Sequence, residues 1–186
     1  GMNNIVYFQD DILIFGSTIA QHNIVLRQAL HKIQDAGLTL RREKCQFLIE
    51  QVEYLRYTLS SEGVKPKKNV LRAIEAAPTP TNKDLLRSFM GLIEYYSKFV
   101  PDFADKTEIL CRLLKKGMGF TWDDTHQKCF QPIKSEICNA DILSPFDTKL
   151  VTMLTIDASA TGLGAVLFQK TKTGERTIAF ASRTLT

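Results

Sequence analysis

Two adjacent carboxylates, Asp10 and Asp11, interrupt an apolar stretch that runs Ile5-Val6-Tyr7-Phe8-Gln9-Asp10-Asp11-Ile12-Leu13-Ile14-Phe15-Gly16. Two short β-prone runs around an acidic pair read as a hairpin with the acids at its tip. Two negative charges held that close between buried strands repel each other unless a cation sits there, and a divalent metal is the natural occupant. Phosphoryl transfer with two metals needs carboxylate oxygens fixed on rigid backbone, and this hairpin meets part of that need. The plain alternative is an Asp-Asp turn with a purely structural role. Other chemistry is poorly supported. Cys45, Cys111, Cys129 and Cys138 form neither a C-x-x-C pair nor a repeated spacing, and His126 with Cys129 makes only half of a zinc site, so the cysteines read as helix-core residues. Gly162-x-Gly164 lacks the strand-to-helix context of a nucleotide fingerprint and reads as a turn and packing feature.

The elements that would position these groups follow from periodicity. A helix with Ile19, Val25, Leu26, Ala29, Leu30 and Ile33 on one stripe opens at a Ser/Thr cap and closes at Gly37. Leu38–Leu40 and Cys45–Ile49 look extended, and the run from Val52 to Leu59 alternates like a strand before the turn at Ser60-Ser61-Glu62-Gly63. Pro66 starts a short helix with Val70, Leu71 and Ile74, which Pro78-Thr79-Pro80 ends, so 78–81 is the expected linker. Thr81 and Asp84 suggest a capped start for a helix with Leu85, Leu86, Phe89, Met90, Ile93 and Tyr96; two more helices follow, one ending near Gly117 and one beginning at Asp123. The aromatics of this bundle read as core. Lys149–Ile156, Leu163–Lys170 and Arg176–Ser182 are strand-like and close the chain as three antiparallel strands.

Composition sets the class. With 186 residues, 44% hydrophobic and 24% charged, the chain has the balance of a globular protein, which excludes collagen-like and disordered classes. No apolar run approaches the roughly 18 residues that a membrane-spanning helix needs, and the start lacks a secretory pattern. An intracellular, non-secreted protein without a membrane partner is expected, and Gly1 before Met2 looks like a tag-cleavage scar. The net charge of +4 is mild, but between Arg27 and Arg72 ten basic residues face five acidic ones, a candidate phosphate-facing surface.

Several ordered motifs resemble the Pol polyprotein of Ty3/gypsy-type long-terminal-repeat retrotransposons, related to retroviral reverse transcriptase. Tyr7-Phe8-Gln9-Asp10-Asp11 resembles the family's Tyr-x-Asp-Asp palm hairpin, with Phe8 in the tyrosine place. Gly37-Leu38-Thr39-Leu40 with Lys44-Cys45-Gln46-Phe47 resembles the next palm motif, and Tyr54-Leu55-Arg56-Tyr57 through Gly63-Val64 the primer-grip hairpin. Leu86-Arg87-Ser88-Phe89-Met90-Gly91, Tyr95-Tyr96-Ser97-Lys98-Phe99 and Phe120-Thr121-Trp122 resemble the thumb and connection; Thr155-Ile156-Asp157-Ala158-Ser159, Gly162-Leu163-Gly164-Ala165 and Ile178-Ala179-Phe180 resemble the opening strands of RNase H.

The resemblance implies an α+β fold: a partial palm of β-hairpins plus a helix over 1–64, a helical thumb or connection over 65–145, and a three-stranded antiparallel RNase H-like sheet over 146–186. It implies polymerase metal ligands at Asp10 and Asp11, an RNase H ligand at Asp157 and a lysine assisting pyrophosphate departure at Lys44, with Mg²⁺ as cofactor. It further implies contacts to an RNA/DNA duplex by Gln46, Phe47, Tyr54, Leu55 and Arg56, with Lys65, Lys67 and Lys68 adding charge. Because the family's polymerase site takes another Asp and the fingers from segments before the position of Gly1, and its RNase H site takes carboxylates from beyond Thr186, the chain alone is expected to be catalytically incomplete. Completion by another chain, or service as a Pol-derived interaction module, are the alternatives. Arg56 stands where the family usually has glycine, and if that glycine allows close backbone approach, Arg56 puts the primer-grip geometry in question. An unfinished sheet exposes its edges, which favours self-association.

Overall fold

The structure is a computed structural model that describes residues 3–160 and 162–185; the expected scar at Gly1-Met2 lies outside them. The chain divides into two compact units, Gly1–Tyr54 and Leu55–Thr186.

In the first unit β1 (Ile5–Phe8) and β2 (Asp11–Ile14) form an antiparallel hairpin in register from Ile5↔Ile14 to Phe8↔Asp11. The Phe15 amide donates to the Asn4 carbonyl at 3.1 Å and extends the ladder by one step. Helix α1 (Ile19–Asp35) starts where the Thr18 side chain accepts the Gln21 amide, and it buries Val25 and Ala29. It stops at Gly37, whose φ of 69° is cheap only without a side chain, and the Leu38 amide returns to the Ile33 carbonyl at 3.0 Å. The stretches expected to be extended at 38–40 and 45–49 join no ladder: a 3-10 turn at Arg42–Lys44 separates them, and Leu48 at φ 52° breaks the second. The hairpin strands, expected to be buried, are open, with Tyr7 77% and Phe8 51% exposed. β3 (Gln51–Tyr54) ends the unit.

The second unit opens with β4 (Tyr57–Ser60) and β5 (Val64–Pro66), paired Tyr57↔Pro66 to Leu59↔Val64. The expected single run from Val52 to Leu59 is thus interrupted at Leu55-Arg56, where both residues take left-handed backbone. Helices α2 (Lys68–Glu75), α3 (Lys83–Glu94), α4 (Phe103–Leu113) and α5 (Asp124–Cys138) come next. Leu86, Phe89, Met90 and Ile93 of α3 recur at helical spacing and are buried with Ile74, Leu110, Phe130, Ile133 and Ile137; the Phe89 and Phe130 rings sit 4.6 Å apart. The cap of α3 is Asn82 rather than Thr81: its side chain accepts the Leu85 amide at 2.9 Å. His126 is held in the cap of α5, where the Asp123 side chain accepts the Thr125 and His126 amides and its carboxyl is held below the usual range, chiefly by the His126 amide.

β6 (Thr152–Ala158), β7 (Gly162–Thr171) and β8 (Gly174–Thr184) form an antiparallel sheet in that order. One core serves the helices and both sheets of this unit, since Tyr57, Val64 and Phe180 all pack against it. The segment expected as a linker is anchored there: Lys134 donates to the Ala77 carbonyl at 2.7 Å, Thr79 bonds Gln127, and Pro80 is buried. Val64 and Leu143 exchange amide-to-carbonyl bonds at 2.8 and 2.9 Å, tying β5 to the segment that leads into the last sheet.

Candidate functional site

In the first unit the hairpin turn is Gln9-Asp10, with Gln9 at φ 49° and Asp11 already the first residue of β2, opposite Phe8. Both carboxylates are exposed. Lys44 is exposed at the end of the 3-10 turn, Gln46 and Phe47 are on the surface just after it, and Tyr54 closes β3 half-buried. Asp157 belongs to the other unit, on β6 opposite Gly164, and its Oδ1 accepts the Ala158 amide at 2.9 Å. Among the described residues no three His, Cys, Asp or Glu side chains gather to hold a metal ion. Asp10 and Asp11 can offer adjacent oxygens to Mg²⁺ and Asp157 a single one, but no complete donor set is assembled from the described residues.

The second unit builds a more ordered feature at Leu55-Arg56. Two consecutive left-handed residues, φ 46° and 66°, are what a type I′ turn demands and what Asn-Gly usually supplies. Arg56 thus takes left-handed backbone that glycine would adopt at less cost. The turn is held from the C-terminal end of α3. The Tyr95 hydroxyl donates to the Leu55 carbonyl at 2.7 Å and the Tyr96 hydroxyl to the Arg56 carbonyl at 3.3 Å, while the Lys67 amide reaches the same Arg56 carbonyl at 3.2 Å.

Tyr57 returns the contact. Its ring stacks on Tyr95 with centroids 5.2 Å apart, and its hydroxyl donates to the Tyr95 carbonyl at 3.2 Å. Burial, then the Tyr95 bond, drives the Tyr57 phenol far above its ordinary value, and burial raises Tyr96 as well. Two cations lie on these rings: Lys98 Nζ is 3.8 Å from the Tyr57 centroid and the Arg56 guanidinium 5.7 Å from that of Tyr95. Burial pushes the Lys98 ammonium below its ordinary pKa. Lys65 of β5 and Lys67 are half-buried, and Lys68 at the start of α2 is exposed. Tyr95, Tyr96 and Lys98 escaped the sequence-based site because only the fold brings the end of α3 to the turn. The available signal was a pair of adjacent tyrosines at a helix end, one of which must face outward.

Residues 2–59 match the family described as reverse transcriptase (RNA-dependent DNA polymerase), and residues 122–186 match the RNase H-like domain found in reverse transcriptase. Over 182 residues the sequence is 35% identical to the retrovirus-related Pol polyprotein from transposon 297 of Drosophila melanogaster, covering 96% of this chain and 16% of that protein. The chain belongs to the reverse transcriptase/RNase H family of retrotransposon Pol polyproteins. A second relative, the transposon Tf2-3 polyprotein of Schizosaccharomyces pombe, is 32% identical over 90% of the chain and 13% of its own length. This reverse transcriptase/RNase H segment thus spans about a sixth or less of these two curated relatives. Its fold is that of a foamy viral protease-reverse transcriptase solved with double-stranded DNA (TM-score 0.88, 23% identity, covering 99% of this chain and 32% of that one) and with an RNA/DNA hybrid (TM-score 0.86, 23% identity, covering 100% and 25%).

Proposed function

We propose that this segment of a retrotransposon reverse transcriptase holds a template–primer duplex through the turn at Leu55-Arg56 and the lysines of β5 and α2. The observation that carries this reading is the turn: a guanidinium on a two-residue connection whose carbonyls are both tied down, so the charge is presented by fixed backbone. Backbone recognition by cations needs such positioning and no base readout. The solved neighbours carry duplex DNA and an RNA/DNA hybrid, which is the ligand class proposed here. Along the chain, 1–64 would serve as palm, 65–145 as thumb or connection and 146–186 as the opening of RNase H. Gln46, Phe47 and Tyr54 would add duplex contacts, Asp10 and Asp11 would supply polymerase metal oxygens, Asp157 an RNase H oxygen, and Lys44 would assist pyrophosphate departure. Mg²⁺, when bound by such carboxylates, neutralises and aligns the reacting phosphate oxygens. Fluorescence anisotropy with an RNA–DNA hybrid tests the binding: affinity falling steeply with salt, with a slope reduced by about one for Lys68→Gln, is expected. A salt-insensitive signal, or none at low salt, refutes it.

A second reading rests on β6, whose seven residues are all exposed. The Lys170 amide donates to Val151 and the Ser159 amide to Gly162, so odd-numbered residues bond β7 while Thr152, Leu154, Ile156 and Ala158 turn their N–H and C=O groups outward. This stretch has no Lys, Pro or bulge to discourage pairing. Antiparallel pairing with a second copy about Thr155 would set Leu154 against Ile156. A rise in mass with concentration by light scattering, abolished by Leu154→Lys, is the expected result, and a monomer throughout would exclude it.

A further inference from the structure

We propose that Tyr95 and Tyr96 are positioning residues for the nucleic-acid contact: their hydroxyls lock the Leu55-Arg56 turn in left-handed backbone and so aim the Arg56 guanidinium. The inference rests on the duplex-binding reading above.

A Cβ comes too close to the following carbonyl oxygen in the left-handed region, and Leu55 and Arg56 lack the short polar side chain that offsets this, so they persist there because something outside the turn fixes them. The β4–β5 ladder secures the chain on the C-terminal side of the turn, and the Lys67 amide supports one of the turn's two carbonyls. The other, that of Leu55, is met by Tyr95 at 2.7 Å. Tyr95 is 41% exposed, so water could satisfy its hydroxyl; it is instead spent on backbone, with the ring held in place by the Tyr57 stack. Tyr96 is wholly buried, and its hydroxyl reaches the second carbonyl. Two neighbouring residues thus meet two successive carbonyls, which fixes the orientation of both peptide planes and not merely the approach of one element to another. Arg56 extends from this fixed backbone over the outer tyrosine, and Lys98 lies on the inner partner of the same stack. The cations and the clamp form one assembly at the end of α3.

The test uses the full chain as Tyr95→Phe, Leu55→Asn and the double variant, read by thermal unfolding and by anisotropy with an RNA–DNA hybrid. Asparagine tolerates left-handed backbone, so it should hold the turn without the hydroxyl. Tyr95→Phe is expected to weaken the duplex about three- to tenfold, the scale of one hydrogen bond, and to weaken it by less than about twofold when both chains compared carry Leu55→Asn. The melting point lost through Tyr95→Phe should be smaller in the Leu55→Asn background. An affinity loss from Tyr95→Phe that is as large in the Leu55→Asn background as in the parent, or equal melting losses in both backgrounds, overturns the clamp. Failure of the unaltered chain to bind a hybrid refutes the duplex-binding reading and the aiming role with it, while the melting cycle decides the clamp by itself.

Discussion

Asp105 of α4 lies directly over the bare Cα of Gly162 in β7: a Cβ built there would fall on the carboxylate oxygen, with the Arg183 carbonyl 3.3 Å away on another side. The same carboxylate accepts from the Ser159 hydroxyl at 3.1 Å, so it cannot swing aside without breaking that bond. Two positions on, a Cβ at Gly164 would meet only Asp102 Oδ1, at 2.6 Å, on an exposed side chain that is free to rotate. Gly162→Ala is therefore expected to cost about 1–3 kcal/mol and Gly164→Ala less than about 1, as measured by urea unfolding. Equal costs would show that the helix start does not rest on the glycines.

The start of α4 is completed by the sheet. Asp102, at the N-cap position, takes left-handed backbone at φ 52° and its side chain makes no capping bond; Ser182 Oγ of β8 accepts the Ala104 amide at 2.8 Å in its place. Ser182→Ala leaves that donor half-buried without its partner and should cost about 1 kcal/mol, comparable with loss of an ordinary cap. Amide exchange should quicken in the first turn of α4 and leave α3 unchanged.

These two contacts mark the border of what the sequence made legible. The helical stripe Leu86, Phe89, Met90 and Ile93 and the closing strands were readable because burial imposes a period on the residues themselves. Gly162 and Gly164 could be assigned to packing, but not to a helix start some sixty residues earlier. Cys45–Ile49 looks strand-like in sequence but joins no sheet, because its apolar residues follow no burial period: Phe47, Leu48 and Ile49 are exposed. At the candidate site, the charged and acidic residues were visible, whereas Tyr95 and Tyr96 act through contacts forty residues distant that no local pattern encodes.

Arg56→Gly separates folding from binding. Relief of left-handed strain is worth about 1–2 kcal/mol, while the lost contact with the Tyr95 ring and the added chain freedom each cost about 0.5–1. The net effect on stability is expected to be within about 1 kcal/mol of zero by thermal unfolding. Duplex affinity should nevertheless fall, with the salt slope reduced by about one. A variant that binds as well as its parent would remove Arg56 from the interface.

Cys129 supplies a pH signature of the bundle. Its thiol sits against the Lys106 carbonyl at 2.6 Å, and burial raises its pKa from 9.0 to about 11. The folded chain thus holds this proton more tightly than the unfolded one. Its contribution to stability is fully present below about pH 9 and is lost as pH rises through about 11. In a variant keeping only Cys129, the alkylation rate should climb with a midpoint near 11 when folded and near 9 in denaturant. Coincident midpoints would show that the thiol is not buried.

Asp10 and Asp11 offer the most direct check on the metal reading. Both are exposed, Asp10 in the two-residue turn and Asp11 at the start of β2, so their mutual repulsion is screened, and Asp10→Asn with Asp11→Asn should change stability by less than about 0.5 kcal/mol. Binding of a divalent ion should depend on them far more than folding does, because water-exposed oxygens on adjacent residues can share one cation. Mn²⁺ in place of Mg²⁺ is expected to broaden amide resonances from Gln9 to Ile12 at millimolar concentration, and the double variant should abolish this. Asp157 has its Oδ1 engaged with the Ala158 amide and has no adjacent carboxylate in the sequence, so broadening around β6 should be weaker at the same Mn²⁺ concentration. Broadening of equal strength at both sites would mean that the ion follows general negative charge, and the hairpin would lose its claim as a metal site.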